Sequence, residues 1–377
     1  MGLFGKRGNS QSRGQMFDPT RAERAQADRV GRGRNDSRGR MFDPTRAARD
    51  ASPRRGQPLG RGNMVSPTRY SGSRNPGQGY EKIKNLKTGG MSVAIILLRG
   101  RKDGKYYVEK RVDVKDEFMA RRAKLELETL KKCRGQKHLN QLIEDSMLSR
   151  GQMSLILEYC DKLSLESKID EALQNRGGYF REASIWNVIM GVASGLAFLH
   201  NGIQDPVKDD KGQRDWDTMC HLDLKPCNIF ISSKGGEFGE PRIVLADFGC
   251  VVKYSDIMSG KEDYRRQACG TAPWYPPEGI APLKGMKGGY GTRTDIFMLG
   301  ATAHAIARMT PKVPDRPRLL SHSPCGSYYS SELNSLVRKL AAQDFNYRPA
   351  ARYVAVVARE VLEQITARKA RRQPHFH

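Results

Sequence analysis

The stretch HLDLKPCNIF, residues 221–230, decides how this chain is read. It places Asp223, Lys225 and Asn228 close together between the apolar flanks MCHL and IFIS. Polar residues framed in this way sit in a loop between buried segments. Farther on, RIVLADFGC (242–250) reads as a buried strand that delivers Asp247 at its end, followed by Phe248 and Gly249. Two acids and an amide held at strand ends are hard oxygen donors, a set that suits Mg²⁺ together with phosphate oxygens.

Upstream, GKYYVEKRVDV (104–114) alternates as a strand. Tyr106, Val108, Lys110 and Val112 share one face; Tyr107, Glu109 and Arg111 share the other. Lys110 therefore lies on the apolar side, where an unpaired charge is costly, and it needs an acid or a phosphate. The following helix, VKDEFMARRAKLELETLKKC (114–133), offers two glutamates. Glu126 falls on the stripe of Met119, Ala123 and Leu130, whereas Glu128 neighbours Lys124, Lys131 and Lys132 on a solvated face. Helical geometry selects Glu126. Before the strand, NLKTGGMSVAIILL (85–98) reads as a hairpin.

In this order, these segments resemble the eukaryotic protein kinase family over most of residues 80–366. The resemblance implies that Asp223 takes or orients the substrate hydroxyl proton and that Lys225 contacts the γ-phosphate. It implies that Asn228 and Asp247 hold Mg²⁺, and that Lys110 pairs with Glu126. An ATP site would be formed by Leu86, Gly89, Ala94, Val108, Lys110, Glu126, Glu158, Cys160 and Phe230. Leu157 would be the gatekeeper, and residues 158–160 would offer backbone hydrogen bonds to adenine. Lys225-Pro226 looks like the serine/threonine subgroup. Aligned to the family's glycine loop, the three glycine positions hold Lys87, Gly89 and Ser92, with Ala94 at the valine; the loop is degenerate. GTAPWYPPE (270–278) resembles the end of an activation segment, with Glu278 pairing Arg348, and Asp295 would anchor the catalytic-loop backbone. The expected fold is α+β and two-lobed: an antiparallel small lobe with one helix at 80–158 and a mainly helical large lobe at 159–366. A catalytically weak scaffold of the same fold is the alternative reading.

Leu222 departs from the family. Most members carry Arg there, and its guanidinium binds an activation-segment phosphate. Leucine cannot, so activity is expected not to depend on phosphorylating Ser255, Ser259 or Tyr264. The stretch QDPVKDDKGQRDWDTM (204–219) reads as an insertion before the catalytic loop, either substrate-facing or a passive surface loop.

Composition bounds the rest. The chain has 377 residues and a net charge of +24. Residues 1–79 hold almost no apolar runs, and their 17 basic against 6 acidic residues make a basic, disordered tail the expectation. RGQMFDPTRAERA (13–25), RGRMFDPTRAARD (38–50) and RGNMVSPTRY (61–70) repeat within it. Each copy has too little to bury to form a solenoid. Repetition fits multivalent docking to a partner and equally fits duplication without function. The charge suits weak, non-specific contact with nucleic acid, and no aromatic residues are interleaved for specific reading. Protein substrates are the partners that the resemblance implies. The seven cysteines form no C-x-x-C pair, which argues against a zinc site and a disulfide framework and for an intracellular setting, nuclear or cytoplasmic. MGLFGKRGNS lacks a signal-peptide core and has Lys6 where a myristoylation motif wants Ser or Thr. IWNVIMGVASGLAFL (185–199) is expected to be a buried core helix rather than a membrane span. Residues 367–377 read as a frayed basic end.

Overall fold

The structure, a computed structural model, describes residues 79–86, 92–149, 151–175, 178–259, 269–280 and 290–372. The basic tail and its repeats, Lys87 and Gly89 of the expected glycine loop, Tyr264 and residues 373–377 lie outside the described residues.

Alternating apolar residues build the small lobe. Strands β1 (Tyr80–Leu86), β2 (Ser92–Gly100), β3 (Tyr106–Asp113), β4 (Leu142–Leu148) and β5 (Gln152–Glu158) form one antiparallel sheet in the order β1-β2-β3-β5-β4. Helix α1 (Glu117–Lys132) follows β3, and the Asp116 carboxylate caps it by accepting the Met119 N–H at 2.8 Å. Such a cap contributes about 1 kcal/mol. The buried residues of α1 include Ala123, Glu126, Leu127 and Leu130.

The large lobe contains helices α2 (Leu165–Gln174), α3 (Glu182–Asn201), α4 (Tyr254–Met258), α5 (Pro277–Ile280), α6 (Thr292–Arg308), α7 (Arg316–Leu319), α8 (Ser331–Leu340) and α9 (Ala351–Arg372). Short strands β6 (Met219–Cys220) and β9 (Val252–Lys253) pair with each other, as do β7 (Ile229–Glu237) and β8 (Glu240–Leu245). Helix α3 is long and apolar enough to span a bilayer by length and composition, yet nearly all of it is buried against α9, β8 and α6. Its glycines permit that approach: a Cβ on Gly191 would stand 2.7 Å from Ile243, and one on Gly195 2.7 Å from Leu139. Helix α9 continues through Arg372, so residues 367–372 are helical rather than a frayed end.

The insertion after α3 is pinned to the lobe. Trp216 donates from Nε1 to Leu199 O at 2.9 Å, meets Phe198 edge-on at 4.9 Å and lies under the Lys132 ammonium. Asp217 accepts the Ser255 N–H at 3.0 Å and its hydroxyl at 2.6 Å, tying the insertion to the start of α4.

Candidate active site

Three elements bring three charges together. Lys110 on β3 reaches Glu126 on α1 at 2.6 Å and Asp247, just beyond β8, at 2.7 Å. The Lys110 and Glu126 side chains are 9% and 4% exposed, whereas Asp247 keeps 36% of its side chain open. Burial alone would lower the Lys110 pKa; the two carboxylates outweigh it and hold the ammonium above the usual lysine range. Burial would likewise raise Asp247, and Lys110 outweighs it, leaving that carboxyl below its ordinary value. Glu126 shows the opposite balance: burial dominates and its pKa is raised. Glu128, expected on a solvated face, pairs with Lys253 of β9 at 2.6 Å.

The loop of residues 221–228 is fixed from below. Asp295 on α6, wholly buried, accepts the His221 N–H on Oδ2 and the Leu222 N–H on Oδ1, each at 2.8 Å. His200 at the end of α3 bonds the same carboxylate at 2.8 Å. The His221 ring donates from Nε2 to Ala246 O at 3.1 Å, so Nδ1 is free to accept the Asp223 N–H at 3.3 Å. Phe248 meets that ring edge-on at 5.6 Å and belongs to the same buried cluster as Leu130 of α1.

Asp223 is the centre of this loop. Its Oδ1 accepts the Thr271 hydroxyl at 2.7 Å, and Lys225 Nζ lies 2.9 Å from Oδ2. Lys225 also donates to the Thr271 hydroxyl. The Lys225 pKa is raised, since attraction to Asp223 exceeds the cost of burial. Asn228 donates its amide to Asp223 O at 2.8 Å and to Oδ2 at 3.1 Å, which orients its Oδ1 as an acceptor. An amide oxygen from Asn228 and the partly open carboxylate of Asp247 form a donor set that fits a hard divalent cation. Thr271 is the member that reading the sequence missed; it sits inside the GTAPW segment with only its type to mark it.

The expected nucleotide residues divide. Cross-strand register places Leu86, Ile95, Lys110 and Leu155 in line on one face. Val108, between Leu97 and Leu157, shares that face. Ala94 does not. A register shift between Ser92 and Ala94 sets Ala94 opposite Arg111, and it packs with Ile96, Leu98 and Ile156 on the other face. Ile95 is thus the β2 residue beside Lys110, the place that the resemblance gave to Ala94. Glu158 spends its N–H on Gln141 O and its carboxylate on Arg242, so its amide is not the donor an adenine ring would meet. Cys160 lies buried two residues on, and Phe230 is half-buried on β7 beside Asn228.

Residues 80–357 match the protein kinase domain. The chain belongs to the protein kinase family. Among the relatives of this chain are the serine/threonine-protein kinase Nek1 of Toxoplasma gondii, 25% identical over 54% of this chain, and Nek3 of Oryza sativa subsp. japonica, 23% identical over 72%. MAP kinase kinase skh1/pek1 of Schizosaccharomyces pombe is 30% identical over 41%. The aligned parts span 12%, 42% and 34% of those proteins, so the chain covers less than half of each. Domain membership implies protein phosphorylation with ATP and a divalent metal in general terms.

Two further features of the chain stand near this site. Leu222 is buried with Cys220, Val252 and Tyr290, an apolar cluster where the family's arginine would lie. Cys250 and Cys269 form a disulfide, which overturns the expectation that the cysteines are unpaired; a spacing of 19 residues carries no recognisable pattern. Glu278 pairs with Arg348 at 2.6 Å and 2.9 Å, the arginine fully buried.

Proposed function

We propose that this kinase transfers the γ-phosphoryl group of Mg²⁺-ATP to serine and threonine hydroxyls of protein substrates. The observation that carries this reading is the Lys110 ammonium shared between Glu126 and Asp247, which assembles residues from both lobes into one charged centre. Bound Mg²⁺-ATP supplies the phosphoryl group and the metal that neutralises developing charge. Asn228 and Asp247 would hold the cation, and Lys110 and Glu126 would position the phosphates. Asp223 orients the substrate hydroxyl and takes its proton. Lys225, already directed at Asp223, offsets charge on the transferred group. Thr271 holds the Asp223 carboxylate in a fixed rotamer until a substrate hydroxyl takes its place.

Transfer of labelled phosphate to a generic basic protein, with and without Mg²⁺, tests this proposal beside Asp223→Asn. The expected result is Mg²⁺-dependent labelling on serine or threonine that the variant lacks. Silence in a folded, wild-type chain would favour the scaffold reading, in which residues 1–79 do the work by docking. An ATP-consuming enzyme of this kind fits an intracellular address, nuclear or cytoplasmic, which imaging of the tagged chain tests.

A further inference from the structure

We infer that Cys250 and Cys269 are a reversible oxidative modification site, and that their disulfide holds the catalytic end of the activation segment in place. The inference rests on the proposed activity for one of its readouts and on geometry alone for the others.

Cys250 directly follows Asp247-Phe248-Gly249, and Cys269 lies two residues before Thr271, which bonds Asp223. Their Cα atoms are 5.4 Å apart, so the link ties the metal-loop end of the segment to the end that touches the catalytic aspartate. The Cys250 end is itself anchored: Arg122 of α1, buried, donates to Val251 O at 3.0 Å, and Lys253 pairs with Glu128. Position at Cys269 is therefore referred to α1 and the Lys110–Glu126 pair. Leu222 lacks the guanidinium that would do this job through a phosphate, and it is buried with Cys220, Val252 and Tyr290. A covalent tie supplies the missing constraint.

The chemistry is selective. Cys269 is partly exposed, as is Cys227, whereas Cys133, Cys160, Cys220 and Cys325 are buried. Burial raises the thiol pKa of all five unpaired cysteines, which keeps them poor nucleophiles. An external thiolate attacks Cys269 Sγ; the Cys250–Cys269 bond breaks, and Cys250 leaves as a thiolate and takes a proton. A second external thiolate resolves the mixed disulfide, releasing the Cys269 thiolate and one molecule of external disulfide, two electrons in all. A low-molecular-weight disulfide reverses both steps.

The full chain, equilibrated in glutathione buffers of stepped reduced-to-oxidised ratio, tests the inference. Peptide mapping under non-reducing conditions should find the Cys250 and Cys269 peptides cross-linked in the oxidised chain. On reduction, amide hydrogen exchange at residues 269–275 should accelerate, and phosphoryl transfer should fall about tenfold, the scale of losing one loop constraint. Cys250→Ser and Cys269→Ser should each match the reduced wild type in every buffer; should either melt early, the wild-type titration decides without it. No cross-link in the oxidised chain, exchange indifferent to reduction, or equal or higher transfer in the reduced chain would each overturn the inference. Absence of transfer in every buffer would instead sink the proposed activity, and the cross-link and exchange data would still decide for or against the tie.

Discussion

Lys110–Glu126 in the small lobe and Glu278–Arg348 in the large lobe are both buried pairs with a shortest contact of 2.6 Å. They differ in what surrounds them. Arg348 spends its other donors on Ala342 O, Gln343 O and Arg293 O, and lies over the Phe297 ring at 5.0 Å. Every direction is satisfied, and the pair is a closed fastening. Lys110 is shared with a second carboxylate, Asp247, and that third member stays partly open to solvent. The same charges in the same low-dielectric setting thus make a fixed bolt in one place and a centre ready for another ion in the other. Surroundings, not the pair itself, separate structure from chemistry.

Replacing Lys110 should break the comparison most sharply. Lys110→Met removes the charge that holds both Glu126 and Asp247, and phosphoryl transfer should fall about a thousandfold, the scale for losing one preorganised electrostatic group. Glu126 already has a raised pKa and can take up a proton, so the fold should survive. Transfer measured beside a melting curve checks this; a variant that unfolds at assay temperature would make the small-lobe pair a fastening as well. Arg348→Leu should do the reverse. It leaves Glu278 buried and unpaired, which costs about 3–5 kcal/mol and lowers Tm by roughly 10 °C, more than Lys110→Met does. Specific activity well below that Tm should stay near wild type.

The sequence displayed one of these environments better than the other for a physical reason. Side-chain chemistry is written in residue identity, so Asp223, Lys225, Asn228 and Asp247 are legible in type and spacing and Lys110 and Glu126 in type and face, while Glu278 and Arg348 follow only from the family resemblance. Backbone chemistry is not written that way. Ala94 was placed on the nucleotide face because a pattern of fixed spacing put it there; the register shift after Ser92 exchanges the faces and brings Ile95 beside Lys110. The disulfide was equally hidden, since two cysteines 19 residues apart meet only through the fold of the segment between them. Thr271 carries no signal beyond being a threonine, and only its contact with Asp223 marks it.

Acid sharpens the contrast from another side. His138, beside β8, and His304, within α6, are buried neutral, and burial lowers each pKa to about 4. The unfolded chain takes up these protons near pH 6.5, before the folded chain does. Their contribution is therefore full above pH 6.5 and is lost as pH falls toward 4, by about 2–3 kcal/mol for each histidine. The Lys110–Asp247 pair should outlast that window, because the depressed pKa of Asp247 keeps its carboxylate charged to lower pH, whereas Glu126, whose pKa burial raises, takes up its proton earlier. Denaturant midpoints stepped from pH 7 to pH 4 should shift steadily downward in the wild type. His138→Gln should flatten part of that slope; an unchanged slope would remove His138 from the account.

The smallest effect expected concerns the segment that neither ion pair touches directly. In a kinase whose catalytic loop carries arginine, a phosphate on the activation segment supplies charge that the arginine reads. Leu222 instead sits among Cys220, Val252 and Tyr290, and the Ser255 hydroxyl is engaged by Asp217, a carboxylate that would repel a phosphate placed there. The triple variant Ser255→Ala, Ser259→Ala, Tyr264→Phe should therefore keep phosphoryl transfer within about twofold of wild type, since among the described contacts it loses only the Ser255 hydroxyl bond to Asp217 and the Ser259 hydroxyl bond to Asp256 O. A loss of tenfold or more would mean that charge added to this segment reaches Asp223 by a route that avoids Leu222. Lys225, linked to both Thr271 and Asp223, would then be the group to substitute next.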